Sequence, residues 1–244
     1  MLSLCAIASG AQTSEVKEKP PMYSYVANWQ IPRARWPEMQ KANAADKPVL
    51  DKALADGTLV GYGDDENLVH QADGSTHDNW WAAMSMAGLM KVLDQLSTSG
   101  TDGLSVLQSA TKHSDLIFVS RYYNWHPGSW KGGYTHVSIY KLKADAPDDA
   151  VDTISKHLIV PLMEKLLADG AILEYEVDTE VIHTEAPGTF EVVYASPTAE
   201  GLDKVNAALG VAVKAQPLSG TAFGSMVDSS GHRDELIRAN GTYK

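Results

Sequence analysis

His77, Arg121 and His136 are the side chains of this 244-residue chain best suited to polar recognition or proton transfer in a pocket. Imidazole titrates near neutral pH, so a tuned histidine can act as acid or base. Tyr25, Trp29, Trp81, Tyr123 and Tyr140 stand in strand-like stretches and could wall a site for a small aromatic ligand. The competing reading is that these rings fill a core, with their polar tips bonded or wet.

Other chemistries find less support. His70 and His183 end equivalent stretches and His126 lies beyond another, but neither His-x-His nor His-Glu-x-x-His spacing occurs. A metal needs three or four converging ligands, so none is expected, and no bound cofactor either. A glycine-rich phosphate loop, a Gly-x-Ser-x-Gly elbow and a dinucleotide fingerprint are missing. The net charge of −11, without any Lys/Arg run, argues against nucleic acid. No run reaches the ~18 apolar residues of a membrane span.

The elements that must position these groups come in two sets. Asp51–Leu96 falls without a gap on Glu164–Leu209, 113 positions along, with fifteen identities in 46 positions. Among them are Asp56-Gly57 with Asp169-Gly170, Tyr62 with Tyr175, Asp65 with Asp178 and Gly88 with Gly201. A period this long marks a duplicated domain-sized unit rather than a solenoid repeat. Hydrophobic periodicity and turn residues give the first half strands at Met22–Ile31, Thr58–His70, His77–Ser85 and Leu116–Trp125. Its helices are Trp36–Asp56, with Pro48 predicting a kink or break, and Met86–Leu96, with a short extra one in Leu104–Lys112. The second half repeats the order: strands Tyr134–Leu142, Ala171–His183, Thr189–Ala195 and Ala222–Asp228, helices Asp148–Asp169 and Ala199–Val213. A tail, Ser229–Lys244, carries a predicted short helix at Arg233–Ala239 that could fold over a cavity mouth.

Strand alternation suggests the inward faces. Val137 and Ile139 suit a helix-covered core, which turns His136, Ser138 and Tyr140 inward, matched by Tyr25, Ala27 and Trp29. By the same logic His77, Asn79 and Trp81 face inward, or else Trp80 and Met84, and Arg121, Tyr123 and Trp125 share a face. All six tryptophans lie in the first half or its exit loop, so that copy is specialised.

Each half therefore reads strand, helix, strand, strand, helix, strand, the ferredoxin-like βαββαβ order, which leaves one sheet face bare. Two copies can bury those faces against each other. In this the chain resembles the dimeric α/β-barrel superfamily in fused form, with antibiotic-biosynthesis-type monooxygenases, EthD-like, YCII-like and stress-responsive barrels as relatives by architecture. The likeness covers about residues 22–228 and rests on element order and duplication, so no functional residue is carried over. It implies an α+β fold of two tandem ferredoxin-like (βαββαβ) repeats forming an intramolecular pseudo-dimeric α/β barrel. A haem role, known among such relatives, would need an axial histidine, and nothing favours His136 or His157 for it.

The expected division is a signal peptide at 1–11, a linker at 12–21, repeats at 22–130 and 131–228, and the tail at 229–244. Leu2–Ala11 is apolar and ends in small residues, as a secretory h-region and cleavage site do, although basic residues are missing before it. The single cysteine, Cys5, lies within it, and a mature chain without cysteine suits a secreted or periplasmic bacterial protein. The chain is expected to be a monomer with an internal pseudo-dimer, its outer surfaces free to form homo-oligomers. The preferred function is an exported small-molecule-binding or stress-associated barrel, since no acid–base pair is forced by spacing. The alternative is a cofactor-independent, monooxygenase-like enzyme acting on a small aromatic compound in the barrel, with His77, Arg121 or His136 handling protons.

Overall fold

The computed structural model describes residues 16–182, 188–215 and 217–244. Four strands come from the first half of the chain: β1 (Met22–Gln30), β2 (Gly61–Asn67), β3 (His77–Ala83) and β4 (Lys112–Trp125). Four come from the second: β5 (Gly128–Leu142), β6 (Glu174–Glu180), β7 (Thr189–Ser196) and β8 (Val227–Tyr243). All pair antiparallel in a closed barrel, β1-β3-β2-β8-β5-β7-β6-β4, with β4 returning to β1. The arcs β4-β1-β3-β2 and β8-β5-β7-β6 meet at the β2–β8 and β4–β6 seams. Closure removes the free edges that an open sheet would offer to other chains.

Helices pack outside the barrel. Leu50 and Ala53 of α1 (Trp36–Ala55) and Leu89, Val92 and Leu96 of α2 (Met86–Ser99) bury Tyr25, Ala27, Trp81 and Ala83. On the other arc, Ile154 of α4 (Ala150–Ile154), Met163 and Leu166 of α5 (Val160–Ala168) and Val205 of α6 (Ala199–Ala215) cover Tyr175, Phe190 and Tyr194. Each such large apolar side chain contributes about 1.5–3 kcal/mol when taken fully out of water. A short α3 (Ser105–Gln108) fills the gap before β4, and α7 (Pro217–Met226) leads into β8. No helix among the described residues is long and apolar enough to cross a membrane.

The matched residues of the two halves have matched surroundings. Gly57 and Gly170 both close a helix at positive φ, 80° and 67°, where a side chain would be strained. Tyr62 hydroxyl bonds Asp51 of α1; 113 positions on, Tyr175 hydroxyl donates to Glu164 of α5 at 2.6 Å. Gly201 touches Ser196 and the Ala171 carbonyl so closely that a Cβ would come within 2.5 Å of that oxygen.

Three expectations are corrected. Pro48 does not break α1 into two helices; the helix runs unbroken through it. The helix read over Asp148–Asp169 contains a wider π turn at Ser155–Ile159, just before Pro161, which has no N–H to continue the ladder. The tail is no lid: Ala222–Asp228 is mostly helix α7, and the closing strand is Val227–Tyr243, with Ile237, Ala239 and Tyr243 buried. Arg233–Ala239 is thus a stave rather than a helix, its backbone bonded to β2 and β5 on either side.

Candidate functional site

The inward face is the opposite of the one expected on β1 and β5, and on β3 it is the alternative that turned Trp80 inward. Ser24, Val26 and Asn28 of β1, Asp78 and Trp80 of β3, and Val137 and Ile139 of β5 line the barrel interior. Tyr25, Trp29, Trp81, His77, His136 and Tyr140 point outward beneath the helices. Tyr25 stacks on Trp81 at 4.4 Å, and Trp29 on His113 at 3.7 Å. Tyr140 stacks on His232 at 4.5 Å, and His136 on Tyr194 at 5.2 Å with Asp234 at 3.7 Å. His77 is buried against the edge of Trp36, and burial, aided by His70, lowers its pKa to about 4, so it is neutral at physiological pH. Burial likewise lowers His136.

Arg121 occupies an irregularity of β4, between Ser120 and Tyr122, and reaches out to Glu18 at 3.4 Å. That extra residue flips the parity of the strand end, so Tyr123 and Trp125 pair with inward-facing Glu176 and Glu174. Of the eight predicted site residues only Tyr123 turns into the barrel, beside Met22 and Ala82, its hydroxyl donating to the Pro20 carbonyl at 2.8 Å. The other seven do not converge on one pocket. His183 lies outside the described residues, and His70 sits at the edge of Trp36.

The interior holds a cavity of about 610 Å³. At one end Tyr243 is the hub of an aromatic floor, with Trp80, Trp125 and Trp130 at 5.4, 4.8 and 5.8 Å. The rings fit because β2 carries Gly61 and Gly63 there: a Cβ on these would come within 2.4 Å of Tyr243 and 2.6 Å of Trp80. The equivalent positions of the second arc are Glu174 and Glu176, followed by Asp178 as Asp65 follows the glycines. Three alternate acidic residues thus share the inward face of β6, and Asp65 stands opposite Asp78 on the other arc. At the far end Arg233, opposite Ile139 on β5, and the loop Gly74-Ser75 border the mouth.

These carboxyls are tied to a few donors. Tyr243 hydroxyl donates to Glu176 Oε1 at 2.5 Å; Ser120 hydroxyl donates to Asp178; Asn67 Nδ2 donates to Asp78 Oδ2 at 3.1 Å. Asp65 Oδ1 and Asp78 Oδ1 have no hydrogen-bond partner among the described residues. Burial dominates their titration, since a low-dielectric interior penalises the charged form. It pushes Asp78 up to about 7 against the pull of Ser75 and Asn67. It also holds Asp65, Glu174 and Asp178 well above the usual carboxylate range, each raised further by an acidic neighbour. Glu176 and Glu235 move the same way.

Such a site can store, give and take protons near neutral pH, against an aromatic wall. Among the described residues no three His, Cys, Asp or Glu are grouped to hold a metal ion. The carboxylates escaped the sequence reading because Glu174-x-Glu176-x-Asp178 has the spacing of a solvated strand face. The one usable signal was Asp65 matched with Asp178, an identity in the duplicated stretch that no turn or cap explains.

No family model and no curated protein matches the chain. Among solved structures, a candidate monooxygenase from Lactobacillus acidophilus NCFM superposes with a TM-score of 0.65 at 10% identity, covering 91% of this chain and 94% of its own. A second candidate monooxygenase, from Fusobacterium nucleatum subsp. nucleatum ATCC 25586, gives 0.64 at 7% identity, with 93% and 95% covered. An anthrone oxidase-like protein gives 0.51 at 8% identity, with 91% and 92% covered. At such identities the likeness is one of fold: the chain has the architecture of the dimeric α/β-barrel superfamily.

Proposed function

Within that fold, we propose that the protein is a cofactor-independent, monooxygenase-like enzyme acting on a small aromatic compound inside the barrel. The observation that carries this is Asp78: a buried carboxylate facing the cavity, one oxygen held by Asn67 and the other without a partner. With a pKa of about 7 it is close to half ionised at neutral pH, where a general base works best. The neighbouring rings of Trp80, Phe118 and Tyr243 give an aromatic substrate a surface to pack on. Asp78 would take a proton from a phenolic O–H or an acidic ring C–H; the resulting anion adds dioxygen at carbon, and the peroxide, once protonated, loses water as its O–O bond breaks, leaving a carbonyl on the ring. Asp78, protonated by the first step, returns that proton to the peroxide oxygen. The likeness to candidate monooxygenases and to an anthrone oxidase-like protein supports a reaction of this type.

The test is oxygen uptake with a panel of phenols, anthrones and related polycyclic aromatics, comparing the wild type with Asp78→Asn. The wild type is expected to consume one class, and the variant to lose about 10²–10⁴-fold in kcat/KM. Saturable binding without uptake for any compound would place the protein among binding barrels instead. Two further readings belong to the same proposal. The arcs are taken as duplicated ferredoxin-like units, supported by the contacts repeated 113 positions apart. Export rests on the composition of residues 2–11, which lie outside the described residues.

A further inference from the structure

The wall of the cavity is far from electrically balanced. Nine Asp and Glu residues line it, against one basic residue, Arg233 at the mouth. Near the mouth some of these acids are answered: Asp73 pairs with Lys112 at 2.7 Å and Asp115 with His113 at 3.3 Å. Deeper in, Asp65, Asp78, Glu174, Glu176 and Asp178 form no ion pair among the described residues, although they are only 4–7% exposed. Carboxyls so deeply buried without a counter-charge are costly to ionise, and interiors seldom keep them without a partner or a purpose. Two of their oxygens, Asp65 Oδ1 and Asp78 Oδ1, lack a hydrogen-bond partner among the described residues and belong to cavity-lining side chains. They sit on facing residues of β2 and β3, beside the indole of Trp80.

From these observations we propose that the cavity takes an organic cation: an aromatic compound carrying a protonated amine that lodges between Asp65 and Asp78. This rests on the reading of the barrel interior as the substrate site, and it names the substrate class. The ammonium donates to the two orphan oxygens and replaces the counter-charge that the chain does not supply. Its ring lies on the aromatic floor, where Trp80 and Tyr243 also offer their faces to the positive charge. A neutral ligand of the same shape leaves both carboxyls as they were. An anionic one meets like charge on every side except Arg233.

Binding of a cation carries a signature that filling a hole does not. Burial favours the protonated form of these carboxyls, and a positive charge beside them favours the ionised one. Protons are therefore released as the cation binds near neutral pH.

The experiment is isothermal titration of the full protein with 2-phenylethylamine and 2-phenylethanol, in two buffers of different ionisation enthalpy. The pair differs only in the charged group. The amine is expected to bind at least tenfold more tightly than the alcohol and to release protons. Asp65→Asn and Asp78→Asn, which preserve shape, should each erase that preference. Equal binding of the two probes, or amine binding unchanged in both variants, overturns the inference while leaving the barrel interior as the ligand site. So does turnover of a neutral aromatic by a protein that binds neither probe. If neither probe binds and no panel compound is consumed, the substrate-site reading itself falls, and the inference with it.

Discussion

Asp78 and its neighbours set the behaviour of this protein at the scale of single residues. Asp65, Asp78, Glu174 and Asp178 keep protons in the folded state that an unfolded chain releases near pH 4. Their folded pKa values are raised, so their stabilising contribution is fully present below the unfolded value and is lost as pH rises through the folded one. His77 and His136 act in the opposite sense, but only below about pH 6.5, because their folded values are lowered. From about pH 6.5 up through the folded value of about 7 for Asp78, the carboxyls therefore act alone among these groups. The melting temperature should fall across that window, and Asp65→Asn should flatten the decline. Calorimetry that found stability rising with pH there would show that these groups are hydrated and ordinary.

The residue scale is also where the sequence was hardest to read. Where helices cover the barrel, strands such as β3 and β6 are buried on both faces, so apolar alternation no longer says which face looks inward. Val137 and Ile139 line the cavity while Tyr140 packs against Phe190 and Phe223 outside, the reverse of what their polarity suggested. The aromatic residues expected as a pocket wall mostly became the covered side of the sheet. An extra residue in β4 rescued Tyr123 alone, and nothing in its local sequence marks that change of parity.

Elements were more legible, because helix starts, helix ends and hairpin turns carry local signatures. Ser85 caps α2, accepting from the Gly88 N–H at 3.1 Å, and Gly100 ends that helix at φ 83°. β8 is the exception: its polar start, Ser229 to Asp234, has loop composition, and only pairing with β2 and β5 makes it a strand. Deleting 229–244 should therefore abolish cooperative unfolding, since β2 and β5 would face each other across a missing stave. A truncated chain that melts as sharply as the full one would restore the tail to the role of an accessory lid. β2 offers a second test at this scale. Gly63→Ala would bring a Cβ within 2.5 Å of the Asn240 carbonyl and 2.6 Å of Trp80, and should cost about 1–3 kcal/mol. Gly103→Ala, with nothing within 4 Å, is the control and should change little. Urea midpoints for the two variants decide the matter, and equal midpoints would mean that the aromatic floor is soft.

At the scale of the whole molecule, the internal sequence repeat and the element order made the fold legible where no family model matches. Matched Gly57 and Gly170, and matched tyrosines tethered to the preceding helix, show why the stretch persisted: these residues hold each arc to its cover. The divergence lies inside. Gly61 and Gly63 on one arc leave room for the floor rings of Tyr243 and Trp80, whereas the other arc carries Glu174 and Glu176 at the matched positions. The cavity therefore has an aromatic floor at one end and carboxyls on both arcs.

That placement is the claim to test most directly, and Trp80 and Trp81 make it measurable, since neighbours on one strand point to opposite sides of the wall. Fluorescence quenching by the aromatic panel should be saturable in the wild type, reduced in Trp80→Phe, where Trp125 and Trp130 remain on the floor, and unchanged in Trp81→Phe. Quenching retained in Trp80→Phe and lost in Trp81→Phe would move the binding site out of the barrel, to the face beneath the helices.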